Sequence, residues 1–174
     1  MSVATNWGTT AREREQPFPC DRFLDAASDA YYRGVSVAAP AAVVFRWLCQ
    51  LRVAPYSYDI IDNLGHRSPQ QLTPGLDQLE TGQSVMRVFD LVDFERDRHI
   101  TIRVLDSRVF GDIAVSYVVV PAGTERCRLL AKLLVRHVRG PIGWAARLLF
   151  PWGDLIMMRR QLLNLKGLAE GSTP

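Results

Sequence analysis

Histidine and cysteine are scarce in this chain of 174 residues, with three of each. His66, His99 and His137 stand far apart, and neither HExxH nor a paired cysteine spacing occurs. The ligand pattern of a zinc site is therefore missing, and no metal or other cofactor is expected. Cys20, Cys49 and Cys127 are too few and too widely spaced for a disulfide framework and read as reduced thiols. No apolar run is long enough to span a bilayer, because Arg147 and Asp154 interrupt the best one, so no transmembrane segment is expected. The first twenty residues lack the basic-then-apolar layout of a secretion signal, which points to a soluble, cytoplasmic location. Charge of one sign is lacking too: 21 basic against 18 acidic residues leave a net charge of +3. The basic residues of the second half mostly alternate with apolar ones rather than clustering with aromatics, so a nucleic-acid partner is not expected. The only phosphate-loop candidate, Gly140 to Gly143, reads as a turn. There is no internal repeat and no low-complexity tract.

What is present is core-forming material. Hydrophobic residues make up 48% of the chain, enough for one domain with a substantial interior. Residues 1–20 read as a flexible tail, since Arg12, Glu13, Arg14 and Glu15 follow one another with little to bury. The domain then runs over 21–170. Ala30–Val37 is β-rich, with Tyr32, Val35 and Val37 as candidate inward residues. Pro40 opens a short amphipathic helix carrying Val43, Val44, Trp47, Leu48 and Leu51. The stretch from Pro55 to Gly65 reads as a second short helix or turn, and 66–83 as a long connection.

Four strands follow, over Gln83–Phe94, His99–Leu105, Ile113–Val120 and Arg126–Val138. Period-2 alternation and tight polar turns predict an antiparallel meander with one wet face. In the last strand Leu129, Leu133 and Val135 are assigned inward, and Arg128, Lys132 and Arg136 outward. Leu130 and Leu134 break the alternation. The chain closes on a long helical segment, Ile142 to Glu170, with Trp144, Leu148, Leu155 and Leu162 on one apolar stripe. Pro151 predicts a kink or break in it.

Strand, two short helices, antiparallel strands and a long C-terminal helix is an order that resembles the START-like, or SRPBCC, superfamily. That superfamily has the Bet v 1-type helix-grip fold and includes polyketide cyclase and dehydrase-like proteins. The resemblance is carried by SVAAPAAVVFRWLCQL (36–51) and GDLIMMRRQLLNLKGLAE (153–170), and it covers about residues 30–169. It implies an α+β fold in which a curved antiparallel sheet grips the C-terminal helix, with a cavity between them. The fold hosts binding, transport, cyclisation and hydrolysis, so function has to be argued from the site.

Residues expected to line such a cavity are Tyr58, Tyr117, Leu129, Leu133, Trp152, Leu155 and Arg159. Tyr56 and Tyr58, followed by Asp59 and Asp62, read either as a solvated helix face or as a portal whose hydroxyl fixes a ligand. Tyr117 is in phase with the inward Ile113, Val115 and Val119. Arg159 falls within the apolar stripe of the helical wheel. It either snorkels to a structural partner or anchors an anionic or carbonyl group. Asp90 and Asp93 read as a wet face or a bulge, and His137 as an end-of-strand histidine. The leading reading is a protein that binds a small hydrophobic ligand such as a lipid, acyl chain or polyketide. The alternatives are a cyclase/dehydratase-type enzyme in the same cavity, with no catalytic residue identified, and a protein-interaction module. Oligomeric state is left open.

Overall fold

Cys127, Leu129, Ala131, Leu133 and Val135 occupy alternate positions of one strand, and all five are buried in the main core. That strand, β7 (Cys127–Arg136), is the centre of the molecule. The computed structural model describes residues 2–24, 28–58, 67–104, 111–137 and 140–172. Ahead of β7 come β1 (Asn6–Trp7), α1 (Ala11–Glu15), a 3-10 turn (Pro19–Arg22), β2 (Asp29–Val37) and α2 (Ala41–Cys49), which runs into a second 3-10 turn (Gln50–Arg52). They are followed by β3 (Ser84–Val85), β4 (Phe89–Glu95), β5 (His99–Val104) and β6 (Asp112–Pro121), and α3 (Pro141–Gly171) comes last. Among the described residues the strands form one seven-stranded sheet, curved and unclosed, in the order β1-β2-β7-β6-β5-β4-β3. All neighbours are antiparallel except β1, which runs parallel to β2. This is the α+β helix-grip arrangement expected from the sequence.

The inner face of the sheet is closed by α2 and α3. Inward positions Ile113, Val115, Tyr117 and Val119 of β6 join those of β7. On β2 the inward set is Tyr31, Val35 and Val37, so the expected inward residue Tyr32 is reversed. Tyr32 has the opposite parity to Val35 and Val37, and a regular strand sends it to the other face. The predicted first strand of the meander, Gln83–Phe94, is two strands. Met86 and Arg87 have φ of 49° and 65°, and they turn the chain between the Val85–Phe89 pair. A hairpin loop of three residues replaces the middle of the expected strand. In β4 the register shifts between Leu91 and Asp93, a bulge, which is one of the two readings given for Asp90 and Asp93. The second short helix expected over 55–65 falls largely on 59–66, outside the described residues.

Two expectations about burial are corrected. The sheet's outer face is not uniformly wet. Phe18, Cys20 and Leu24 lie on it and enclose Ala114, Leu130 and Leu134 in a second small core. Leu130 and Leu134 break the alternation of β7 because both of its faces are covered. Lys132, expected in water, is buried beside Asp21, with Nζ 2.6 Å from Oδ1 and the Phe18 and Tyr32 rings around it. Arg128 is half-buried and donates to Glu13 at 2.7 Å, while Arg136 does face solvent. Residues 1–20 are therefore not a loose tail where the structure describes them. The backbone of Cys20 donates to Ser116 Oγ at 2.8 Å, and Ala4 and Phe18 are buried. The charged run that looked fit only for solvent finds its partners on β7.

The hydrogen bond from Arg128 holds the Glu13 carboxyl below its ordinary value of 4.5. A carboxyl with a depressed folded pKa stabilises fully above its unfolded pKa, and the contribution is lost as pH falls through the folded value. Acidification below about pH 4.5 is therefore expected to loosen the N-terminal segment first. Hydrogen exchange of residues 2–24 should accelerate relative to β7 between neutral pH and that range. Equal acceleration of both would place the acid-sensitive contact elsewhere.

Candidate functional site

Between the sheet and α3 lies a cavity of about 530 Å³. Its walls follow from three local decisions of the chain. Alternation in β6 and β7 turns Val115, Tyr117 and Leu133 inward. The turn at Met86 and Arg87 brings Met86, Val88 and Phe89 to one end. The helix supplies Phe150, Asp154, Met157, Met158 and Gln161. Helical geometry sets those five on one side of α3. Volume and lining fit a small-molecule site: a largely apolar chamber with a few placed polar groups.

The polar groups form two sets. Tyr117, wholly buried, donates its hydroxyl to Gln161 Oε1 at 2.7 Å, and Gln161 Nε2 donates to the Pro55 carbonyl at 2.6 Å. Burial raises the Tyr117 pKa well above that of a free phenol, so this hydroxyl keeps its proton. The bonds also tie α3 to the segment after α2, as does Ser57 Oγ donating to the Met157 carbonyl at 3.1 Å. The second set is an ion pair. Arg33 enters from β2 and is 1% exposed; its Nη2 lies 2.6 Å from Asp154 Oδ2. The same guanidinium donates to the carbonyls of Tyr32 and Ala4, and Pro151 O lies 3.5 Å from it. Asp154 Oδ1 makes no hydrogen bond among the described residues, and Asp154 lines the cavity. Burial pushes the Asp154 carboxyl up to about 6, while Arg33 pulls it back down. At neutral pH it is an anion, with one oxygen committed to Arg33 and the other available. Among the described residues no group of three or more His, Cys, Asp or Glu is placed to hold a metal ion.

Seven residues were expected at the cavity, and the structure separates them. Tyr117 and Leu133 line it. Leu129 and Leu155 are buried core residues outside its lining. Tyr58 and Trp152 face solvent, Trp152 with 56% exposure. Arg159 also faces outward, outside the lining of the cavity, its guanidinium 5.6 Å from the centroid of the Trp7 ring. The physical reason lies in α3. The helix runs unbroken through Pro151 and carries two apolar stripes. Leu155, Met158, Leu162, Leu165 and Ala169 form the buried one, whereas Leu148, Trp152 and Leu163 lie on the exposed one. A wheel centred on Leu148 selects the wrong stripe and carries Arg159 with it. Arg33, Asp154 and Gln161 were missed. The available signal was Arg33 inside a β-rich strand and Asp154 as the first of only two acids in the long helix, charges that have to be paired if buried.

Neither a protein-family model nor a curated protein matches this sequence. Solved structures do match the fold. A Thermobifida fusca protein determined by solution NMR is 16% identical, aligned over 83% of this chain and 95% of its own, with a TM-score of 0.55. The Zhui aromatase/cyclase of a Streptomyces species is 19% identical over 84% of this chain and 96% of its own, also at 0.55. A norcoclaurine synthase variant from Thalictrum flavum, solved with a transition-state analogue, is 12% identical over 87% and 99%, at 0.50. Such identities speak to architecture alone, and on that they agree with the strand order and the gripped helix: the chain has the helix-grip fold of these solved structures.

Proposed function

We propose that this protein binds a small hydrophobic molecule bearing one hydrogen-bond donor, in the cavity between the sheet and α3. The observation that carries the reading is the cavity itself, apolar on most sides with Asp154 in its wall and only Oδ2 of that carboxylate bonded among the described residues. A lipid, acyl chain or polyketide-like body fills the apolar part. A hydroxyl or amide N–H on that body donates to Asp154, and a carboxylate there meets like charge. Tyr117 and Leu133 form part of the wall, with Tyr117 already committed to Gln161.

Native mass spectrometry of freshly purified protein should show a co-purified small molecule. In a displacement assay with a polarity-sensitive fluorescent probe, a long-chain alcohol should compete at least about tenfold better than the acid of equal length, which corresponds to the worth of one charge-assisted bond. Met157→Trp, which fills the chamber from its helix side, should abolish probe binding without lowering the melting temperature by much. Equal competition by alcohol and acid would remove the role given to Asp154. Unaltered probe affinity in Met157→Trp would remove the cavity as the site.

A second reading, an enzyme of the cyclase or dehydratase type, has Asp154 behind it. A carboxyl raised toward neutrality in an apolar wall is suited to proton transfer. A polyketide-like probe ligand that is recovered chemically changed by the protein, and unchanged by Asp154→Asn, would favour this reading over simple binding.

A further inference from the structure

Every exposed residue of α3 between positions 144 and 163 is apolar, glycine or arginine. Trp144, Leu148, Leu149, Trp152, Ile156 and Leu163 form the apolar part, with Leu149 at 72% exposure. Three arginines accompany them. Arg147 pairs with Asp29 at 2.9 Å. Arg159 and Arg160 lie against the rings of Trp7 and Tyr58 and have no carboxylate partner among the described residues. The one acidic residue of this stretch, Asp154, is turned inward to Arg33. A solvated helix face would instead mix acidic and basic side chains with few large apolar ones. The stripe is about 30 Å long at the rise of an α-helix.

We propose that this face of α3 docks the protein on an anionic lipid surface. Tryptophan, leucine and isoleucine along one side of a helix, with arginine and no exposed acid of the helix itself between positions 144 and 163, is the composition of a helix that lies in a membrane interface. Arginine stems pack on the apolar surface while their guanidinium groups reach phosphates. Among the described residues no helix is long and apolar enough to cross a membrane, so the contact is with the surface. A second copy of this chain fits the face poorly. A two-fold contact sets the same patch against itself, so Arg159 and Arg160 of each copy meet helix residues that are apolar, glycine or arginine. The docking also has a geometric consequence for the cavity. Phe150 and Met157 line it from the same stretch of helix whose outer side carries Leu149 and Ile156. A hydrophobic ligand held there sits directly behind the lipid-facing side. The docking itself stands whether or not the cavity is filled.

The test is co-sedimentation of the full chain with vesicles of pure phosphatidylcholine and with vesicles containing one-third phosphatidylglycerol. Binding is expected to the anionic vesicles, to weaken with added salt, and to shift tryptophan fluorescence to shorter wavelength. Affinity for the neutral vesicles should be lower by about tenfold or more. Leu149→Glu combined with Ile156→Glu should remove vesicle binding while leaving the melting temperature unchanged, because both side chains are exposed. Arg159→Gln combined with Arg160→Gln should weaken binding to anionic vesicles by about tenfold and flatten its salt dependence. Failure to bind either vesicle overturns the proposal, as does equal binding to both. Self-association in analytical ultracentrifugation that the glutamate pair abolishes would assign the face to a second copy instead. Capture of an acidic protein on this face by a chain that ignores lipid would likewise overturn it.

Discussion

Asp154→Leu should lower the unfolding free energy by about 3–5 kcal/mol, as expected when a buried ion pair loses one partner. The substitution leaves the Arg33 guanidinium 1% exposed with its carboxylate removed. The carbonyls of Tyr32 and Ala4 still accept from it, but neither carries a charge to balance it. Nε of Arg33 has no hydrogen-bond partner among the described residues, and the Tyr31 ring 5.9 Å from the guanidinium is uncharged. Replacing both residues by apolar ones of similar volume, Arg33→Met with Asp154→Leu, should recover most or all of the loss, because the cost of desolvating two charges disappears with them. Urea unfolding of the two single variants and the double variant gives the coupling directly. A single variant as stable as the parent would mean that water reaches Arg33. A double variant as unstable as the singles would mean that the pair contributes more than its charges, through the Pro151 and Ala4 contacts.

Deleting residues 2–24 should lower the melting temperature by at least about 10 °C, or prevent folding, given that 1 kcal/mol corresponds to about 2–4 °C in a chain of this size. The segment buries Phe18, Cys20 and Leu24 against Ala114, Leu130 and Leu134. Large apolar side chains contribute about 1.5–3 kcal/mol each when fully buried, and whole domains are stable by only about 5–15 kcal/mol. The deletion also strips Asp21 from Lys132, Glu13 from Arg128 and the Ala4 carbonyl from Arg33. Lys132 would then stand on a bare apolar patch, so aggregation should accompany the loss of stability. Differential scanning calorimetry and light scattering of the shortened chain check both. An unchanged melting temperature would return the segment to the status of a detachable tail.

The sheet was legible because alternation is a local signal. Ile113, Val115, Tyr117 and Val119 declare their face within eight residues, and Leu129, Leu133 and Val135 do the same. Two cavity residues, Tyr117 and Leu133, came with that pattern. The long helix was legible as a helix but not in its phase, since apolar residues occupy more than half its circumference and a wheel then has no single minimum. The N-terminal packing was hidden for a different reason. Glu13 and Arg128 are 115 residues apart, and nothing local to either shows that it has a partner. Leu130 and Leu134 did carry the information: two apolar residues on a nominally wet face require a cover. Asp154 and Arg33, 121 residues apart, were visible only as interruptions of apolar elements. The Met86–Phe89 wall was hidden by a turn made without glycine, where positive φ falls on methionine and arginine.

The pairing of β2 with β7 sets when this protein can fold. Residues 29–37 find their hydrogen-bond partners at 127–136, and nine register pairs join the two strands. On a ribosome, β2 and α2 emerge long before β7 exists. The early half of the chain therefore waits with Tyr31, Val35, Val37 and Trp47 uncovered. Contacts of such sequence separation make folding slow and leave aggregation-prone surface in the interval. Even β7 does not end the wait, because Met158, Leu162 and Leu165 close the same core and are synthesised after it. Native structure thus forms only once α3 has emerged. A nascent chain stalled before α3 should be a better chaperone substrate than a completed one, and ribosome-bound intermediates arrested on either side of residue 141 would show it as a gain in protease resistance only on the longer side.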